Sequence, residues 1–249
     1  LRLTYDVTIT DNNGVSSTQQ VVVQIGAAND EPVISVIDAG AAVQEDASVQ
    51  PGNLLTDTGP VTFTDTDLTD THTAHVAFNN AVGGGGGSVN TALLTALGTA
   101  LSVPSSTLAA GVHTFNWDFA LDNNLVQYLG AGETVTATYT ITVKDNSGDL
   151  NAISAGQTVT VVITGTNDTP MITAVDVAGA VKEDDALVAV NTLHDTGSVT
   201  FADLDATDHE TATVAFVGDA TSSAAAIPGS LHTALQSALT LQNSSFTSN

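Results

Sequence analysis

The sequence lacks cysteine, has only three lysine and arginine residues, and contains few aromatic residues, which make up 4% of the chain. Without cysteine no disulfide can form, although a bound metal can take over the stabilising role of one. The 27 acidic residues leave a formal net charge of −24. Phosphate backbones and anionic lipid headgroups would repel such a polyanion. We therefore expect no nucleic-acid partner and no direct membrane insertion.

Long apolar runs are also missing, since none approaches the roughly 18 residues of a membrane-spanning helix. Hydrophobic residues nevertheless make up 42% of the 249 residues, enough to build a core. Threonine, valine, alanine, aspartate and asparagine are abundant, a mixture typical of short strands joined by polar turns. The excess negative charge strains a compact fold unless cations neutralise it. The alternative is that the acidity only keeps a secreted protein soluble.

The sequence repeats itself at a spacing of 138 residues, the separation of Pro32 from Pro170. At this offset, 26 of the 50 residues in 29–78 are identical to those in 167–216. A period of this length is that of a domain, because solenoid repeats are much shorter. An Asn-Asp-x-Pro motif precedes each repeat, at residues 29–32 and 167–170.

These motifs predict three segments. Residues 1–32 are the C-terminal part of one repeat, 33–170 form a complete repeat, and 171–249 are the N-terminal part of a third. The stretch 5–12 matches 139–146, which supports the assignment of the first segment. We call the linkers around residues 29–32 and 167–170 the first and second junctions.

Strand periodicity dominates the complete repeat. Apolar residues alternate with threonine over 134–143, and 159–163 supplies a returning strand after the turn at 145–148. Phe115, Trp117 and Phe119 alternate in the same way and predict an inward-facing tryptophan. Residues 90–101 instead have leucines at helical spacing, with Asn90 as the N-cap. The pattern indicates an all-β fold of tandem β-sandwiches, each with a short inserted helix.

Oxygen-bearing side chains recur around each junction, and oxygen ligands are what Ca²⁺ prefers. Each linker supplies Asn and Asp, the following repeat supplies two acidic pairs, and the hairpin of the preceding repeat supplies one aspartate. We therefore predict calcium at both junctions. The expected ligands at the first are Asp11, Asn29, Asp30, Glu45, Asp46, Asp65 and Asp67. Those at the second are Asp145, Asn167, Asp168, Glu183, Asp184, Asp203 and Asp205.

Other chemistry finds little support. Residues 65–76 lack the glycine and the final glutamate of an EF-hand loop. His72 and His75 have no third soft ligand nearby for zinc. The five glycines at 83–87 are not followed by the lysine of a phosphate-binding loop, and we expect a flexible loop there. The sequence shows no recognisable nucleophile elbow, catalytic triad or catalytic carboxylate pair, so we do not expect an enzyme.

The stretches 130–148 (GAGETVTATYTITVKDNSG) and 159–170 (VTVVITGTNDTP) resemble the VCBS repeats. These are cadherin-like, Ig-like modules of long bacterial RTX-type adhesins. The resemblance implies a type I-secreted protein of the bacterial cell surface, in which tandem sandwiches form a stalk with calcium at the joints. The sequence departs from the usual module over residues 79–111.

We therefore expect structural extender repeats whose main partners are neighbouring repeats of the same chain, with any glycan or surface ligand bound by other regions. The alternative is a calcium-dependent carbohydrate-binding module, in which the 79–90 loop or a calcium-lined loop contacts the sugar.

Overall fold

The computed structural model describes residues 1–150, 152–182, 192–218 and 227–247, which are mainly β-structure. Two four-stranded sheets face each other within residues 33–164. The first has the order β3-β5-β8-β7, with β3 Val33–Ile37, β5 Leu54–Thr64, β7 Leu101–Ser102 and β8 Thr114–Asp122. The second has the order β4-β10-β9-β6, with β4 Gly40–Gln44, β6 His72–Gly83, β9 Thr134–Asp145 and β10 Gln157–Thr164. The all-β sandwich prediction is confirmed for this segment.

Strand alternation builds the core. On β9 the side chains of residues 135, 137, 139, 141 and 143 are at most 1% exposed, while the intervening threonines face outward. On β8 the same alternation buries Phe115, Trp117, Phe119 and Leu121, and the indole of Trp117 is fully buried, as predicted. Burying each large apolar side chain contributes about 1.5–3 kcal/mol to stability.

The predicted helix is present as α1, Thr91–Ala100, and it packs beside the sandwich. The Asn90 side chain accepts a hydrogen bond from the backbone N–H of Leu93 at 2.8 Å, which confirms the N-cap. Leu93 and Leu97 are fully buried, and the Tyr139 hydroxyl donates to the Leu97 carbonyl at 2.8 Å. Within the five-glycine run, β6 ends at Gly83 and Gly84–Gly86 forms a tight turn in which Gly85 has a positive φ of 67°.

The directions of the strands determine which residues lie at each end of the sandwich. Strand β4 runs parallel to β10, with Gln44 beside Thr164, so both strands end next to the second junction. Strand β9 is antiparallel to β6, and its last residue, Asp145, pairs with His72, the first residue of β6. That pair lies at the opposite end of the sandwich, beside the first junction.

Further strands flank the sandwich. β1 Arg2–Thr10 and β2 Ser16–Gln24 form an antiparallel hairpin, and β11 Met171–Val175 pairs with β12 Val199–Ala202. β13 His209–Thr211 pairs with β14 Ser245–Thr247, and α2 spans Gly229–Leu235. Within the described residues, no helix is long and apolar enough to span a bilayer.

Candidate functional site: carboxylates at the two junctions

Hydrogen bonds to aspartates fix the first linker against the sandwich. The backbone N–H of Asp30 donates to Asp67 Oδ2 at 2.8 Å, and the N–H of Asp67 donates to Asp65 Oδ1 at 2.8 Å. The second of these bonds closes a local turn in which a side chain replaces a backbone acceptor. Asp65 and Asp67 are therefore brought together by this turn.

The second linker is held in the same way. The N–H of Asp168 donates to Asp205 Oδ2 at 2.7 Å, and the N–H of Asp205 donates to Asp203 Oδ1 at 3.1 Å. These residues lie 138 positions after those at the first junction. The matching Asn-Asp motifs thus make matching contacts.

Asp145 and His72 complete the carboxylate cluster at the first junction. Asp145 Oδ2 accepts from Asn29 Nδ2 at 3.0 Å, and its Oδ1 accepts from the Ser147 N–H at 2.8 Å. Burial tends to raise the pKa of Asp145, but the hydrogen bonds from Ser147 and Asn29 outweigh it and lower that pKa. His72, 1% exposed, forms a 2.8 Å pair between its Nε2 and Asp65 Oδ2. The carboxylate of Asp145 is already well partnered.

Glu45 lies at the second junction and is fully buried. Its Oε2 accepts from the Thr166 N–H at 3.0 Å, and its Oε1 accepts from Gln127 Nε2 at 2.8 Å. Burial raises the pKa of Glu45 to about 7; the Thr166 hydrogen bond opposes this, and the negative charges of Asp168, Asp46 and Asp205 add to it. This end of the sandwich therefore concentrates negative charge in a buried place.

Two carboxylate oxygens at the second junction are buried without a hydrogen-bond partner in the described chain, namely Asp168 Oδ2 and Asp205 Oδ1. Asp205 itself is fully buried. Burial, and then the nearby charge of Asp205, raise the pKa of Asp168, while burial is also the main cause that raises the pKa of Asp205. An unpartnered buried carboxylate is costly, and a cation is the group that would satisfy it.

Asp46 is oriented by a reciprocal pair with Asn123. The N–H of Asp46 donates to Asn123 Oδ1 at 3.1 Å, and Asn123 Nδ2 donates to Asp46 Oδ1 at 2.6 Å. Gln127 Nε2 adds a bond to the same Asp46 oxygen at 3.0 Å. Asp46 has a left-handed backbone, with φ of 56°, which this network holds in place.

Direct contacts also cross the second junction. Thr207 Oγ1 donates to Glu133 Oε1 at 3.1 Å, and the N–H of Ala206 donates to the Tyr128 carbonyl at 3.2 Å. The loop after Asp205 therefore contacts the end of the sandwich directly.

The structure corrects the predicted grouping of ligands. Glu45 and Asp46 were expected at the first junction but lie at the second, because β4 runs parallel to β10. Asp145 was expected at the second but lies at the first, because β9 carries it back to the start of β6.

Asp11 was expected at the first junction but belongs to neither cluster. It caps the β1–β2 turn by accepting from the N–H groups of Asn13 and Val15. The linker leaves the hairpin at its other end, near Ile25, about 30 Å away for a nine-residue strand. Glu183 and Asp184 lie outside the described residues.

Sequence reasoning missed several residues that shape the clusters: His72, Asp70, Asn123, Gln127, Glu133 and Ser147. Asp70 was detectable, since it recurs as Asp208 at the same offset. Burial, followed by the charge of Asp67, raises the pKa of Asp70. Within the described residues, no three His, Cys, Asp or Glu side chains are grouped as a ready-made metal site.

A Glu45→Gln substitution tests the charge of the second junction. The pKa of Glu45 is about 7 in the folded protein against an ordinary value of 4.5. The folded state therefore retains the proton more tightly, and stability falls as the pH rises from 4.5 to 7. With a chelator present, Glu45→Gln should raise the free energy of unfolding at pH 8 by on the order of 2 kcal/mol, and leave it almost unchanged at pH 4.

Urea unfolding at both pH values measures this difference. Glu31→Gln, in the exposed part of the first linker, is the matched control and should change little at either pH. A Glu45→Gln effect of equal size at pH 4 and pH 8 would contradict the charge explanation.

No protein-family model matches the sequence, and no curated protein matches it. Solved structures with some similarity include AggA, the major subunit of aggregative adherence fimbriae type I from Escherichia coli. It is 11% identical, with a TM-score of 0.34, over 57% of this chain and all (100%) of that chain.

The PapD-like domain 7 of human CEP192 is 8% identical, with a TM-score of 0.34, over 58% of this chain and 92% of that chain. The CooA pilin subunit of enterotoxigenic E. coli is 11% identical, with a TM-score of 0.30, over 57% of this chain and 100% of its own.

Proposed function

We propose that this chain is part of the stalk of a large secreted bacterial surface adhesin. The stalk would consist of tandem Ig-like, cadherin-like sandwiches of about 138 residues, similar to VCBS repeats, with calcium stiffening the junctions between them. The observation that carries the proposal is the pair of buried, unpartnered carboxylate oxygens of Asp168 and Asp205 beside the buried Glu45. Secretion by the type I route fits a chain without cysteine.

The donor chemistry at the second junction suits Ca²⁺, a hard cation that accepts six to eight oxygen ligands. Glu45, Asp168 and Asp205 would supply carboxylate oxygens, and Asp203 and Asn167 lie next to them in the same linker and loop. When bound, the ion supplies positive charge and oxygen coordination. These residues come from the sandwich, the linker and the following segment, so one ion would tie all three together.

The first junction would bind calcium less tightly. Within the described residues, no buried carboxylate oxygen of the first junction lacks a hydrogen-bond partner, whereas two do at the second, and the His72 imidazole is paired with Asp65. At the position corresponding to His72, the second junction has Glu210. We therefore propose that the second junction dominates the calcium response of this chain.

The stiffening mechanism is electrostatic. Without cations, the carboxylates at a junction repel one another, and the linker is held mainly by single bonds such as Asp168 N–H to Asp205. With calcium, the repulsion becomes attraction to a shared ion. Neutralisation at successive junctions also reduces the self-repulsion of a chain with net charge −24.

Small-angle X-ray scattering of the 249-residue chain tests this mechanism. We expect a larger maximum dimension and less flexibility in millimolar calcium than in chelator, because the ion adds a stronger attachment between the second linker and its two neighbours than hydrogen bonds alone provide. Magnesium at equal concentration is the control for ionic strength, and it should change little because it demands octahedral geometry. Identical scattering in calcium and chelator would refute the stiffening role.

A further inference from the structure

An open hollow lined mainly by polar residues lies on the outer face of the sandwich, at the end beside the first junction. It has a volume of about 400 Å³, and its lining includes Thr71, Thr73, His75, Thr107, Lys144 and Asn146. Strands β6 and β9 form its floor, since Thr73 pairs with Lys144 and His75 with Thr142. No tryptophan, tyrosine or phenylalanine lines the hollow.

Lys144 is the distinctive residue of this hollow. The sequence has three lysine and arginine residues in all, and Lys144 is the one within residues 33–170. In the described part of the chain, the only ion pair within 4.0 Å is that of His72 with Asp65, so no carboxylate pairs with Lys144. Asp145 also lines the hollow, but both of its oxygens already accept hydrogen bonds from Asn29 and Ser147. An exposed ammonium group is therefore available to an anion.

The polar groups around Lys144 are held by hydrogen bonds before any ligand arrives. The Thr71 N–H donates to Asn146 Oδ1 at 2.9 Å. This bond uses the oxygen of the Asn146 amide, so its NH₂ group can act as a donor to a ligand. The Thr73 hydroxyl lies 3.2 Å from His75 Nε2 and 3.5 Å from the Lys144 carbonyl. Such fixed donors and acceptors reduce the entropy lost on binding.

We propose that this hollow binds an acidic saccharide unit, with the carboxylate on Lys144 and the sugar hydroxyls on the threonines, Asn146 and His75. A single cation among several neutral hydrogen-bonding groups suits one carboxylate on a hydroxyl-rich body. Because no aromatic side chain lines the hollow, a neutral sugar would be held by hydrogen bonds alone, whereas an acidic sugar adds the attraction of its carboxylate to Lys144. A polyphosphate would need more than this one cation in a chain of net charge −24. This hollow shares Asp145 with the carboxylate cluster of the first junction, but the proposed ligand contacts Lys144 and the neutral groups and needs no calcium.

Backbone amide NMR of the ¹⁵N-labelled 249-residue chain tests the site, with D-galacturonate as the probe and chelator present throughout. We expect shift changes confined to residues 71–75, 107 and 144–146. Neutral D-galactose and acetate should each bind at least about tenfold more weakly, since each lacks one half of the recognised chemistry. Because no calcium is present, failure of the calcium proposal would not affect this result.

Lys144→Met should weaken galacturonate binding by about tenfold or more, as expected for loss of a charge-assisted hydrogen bond. Lys182→Met makes the same change elsewhere and should leave binding unaltered. Absence of galacturonate shifts, equal responses to acetate or to galactose, or unchanged binding by Lys144→Met would each overturn the proposal. The amide spectra of the unliganded variants show whether they are folded.

Discussion

Replacing Gly59 with alanine will strongly destabilise the sandwich. Gly59 of β5 lies opposite Trp117 of β8, and an added Cβ would overlap the indole ring and come within 2.7 Å of the Asp38 Cβ. The ring cannot move aside, because it is fully buried and its Nε1 donates to the Asp38 carbonyl at 2.9 Å. We expect a loss of about 3 kcal/mol or more, which lowers the melting temperature by roughly 10 °C.

Thermal unfolding followed by tryptophan fluorescence measures this effect, since Trp117 is the only tryptophan in the sequence. Gly98→Ala is the matched control. Gly98 lies in α1, nothing is within 4 Å of its added Cβ, and alanine there should be neutral or stabilising by up to about 1 kcal/mol. Equal melting temperatures for Gly59→Ala and the parent would show that the contact between Gly59 and Trp117 is looser than described.

Calcium will raise the thermal stability of the chain, and Asp168→Asn will remove most of that rise. A ligand present at 100 times its dissociation constant stabilises the folded state by about 2.7 kcal/mol, or roughly 5–10 °C. Asp168 carries one of the two buried, unpartnered carboxylate oxygens, and its N–H holds Asp205. Asparagine preserves the shape but removes the charge that attracts the ion. Differential scanning calorimetry with calcium and with chelator measures the difference.

Asp118→Asn provides the control, because it makes the same change of charge at an exposed position of β8, away from both junctions. This variant should retain the full calcium response. In chelator, Asp168→Asn should be at least as stable as the parent, since it relieves repulsion by Asp205. If calcium stabilises Asp168→Asn as much as the parent protein, Asp168 is not a ligand of the ion.

Much of the complete sandwich could be predicted from local pattern. The alternation over 134–143 and 115–119 matches strands β9 and β8, and the leucine spacing after Asn90 matches α1. These features are readable because strand and helix periodicities depend on neighbours within a few residues. The grouping of Asp30 with Asp67, and of Asp168 with Asp205, was also predictable from the sequence. The same aspartates recur around both linkers at the 138-residue offset.

The composition of each junction could not be predicted in this way. Glu45 was assigned to the nearer linker in sequence, yet the parallel pairing of β4 with β10 carries it to the farther one. Asp145 was assigned by the same reasoning and lies at the opposite end, with Asn29. Strand order and direction depend on contacts between strands that are far apart in the sequence, which local pattern does not encode.

The sequence by itself determined the strand-rich fold, the inserted helix, the negative charge and the two repeated Asn-Asp-x-Pro linkers. The tertiary structure alone decided which acids meet and which glycines are indispensable. Gly59 and Gly98 both lie in regular elements of the same sandwich, but an added Cβ at Gly59 would overlap the buried Trp117, whereas nothing lies within 4 Å of an added Cβ at Gly98. The reason is physical: periodicity fixes which face a side chain takes, whereas packing between distant strands fixes what it touches.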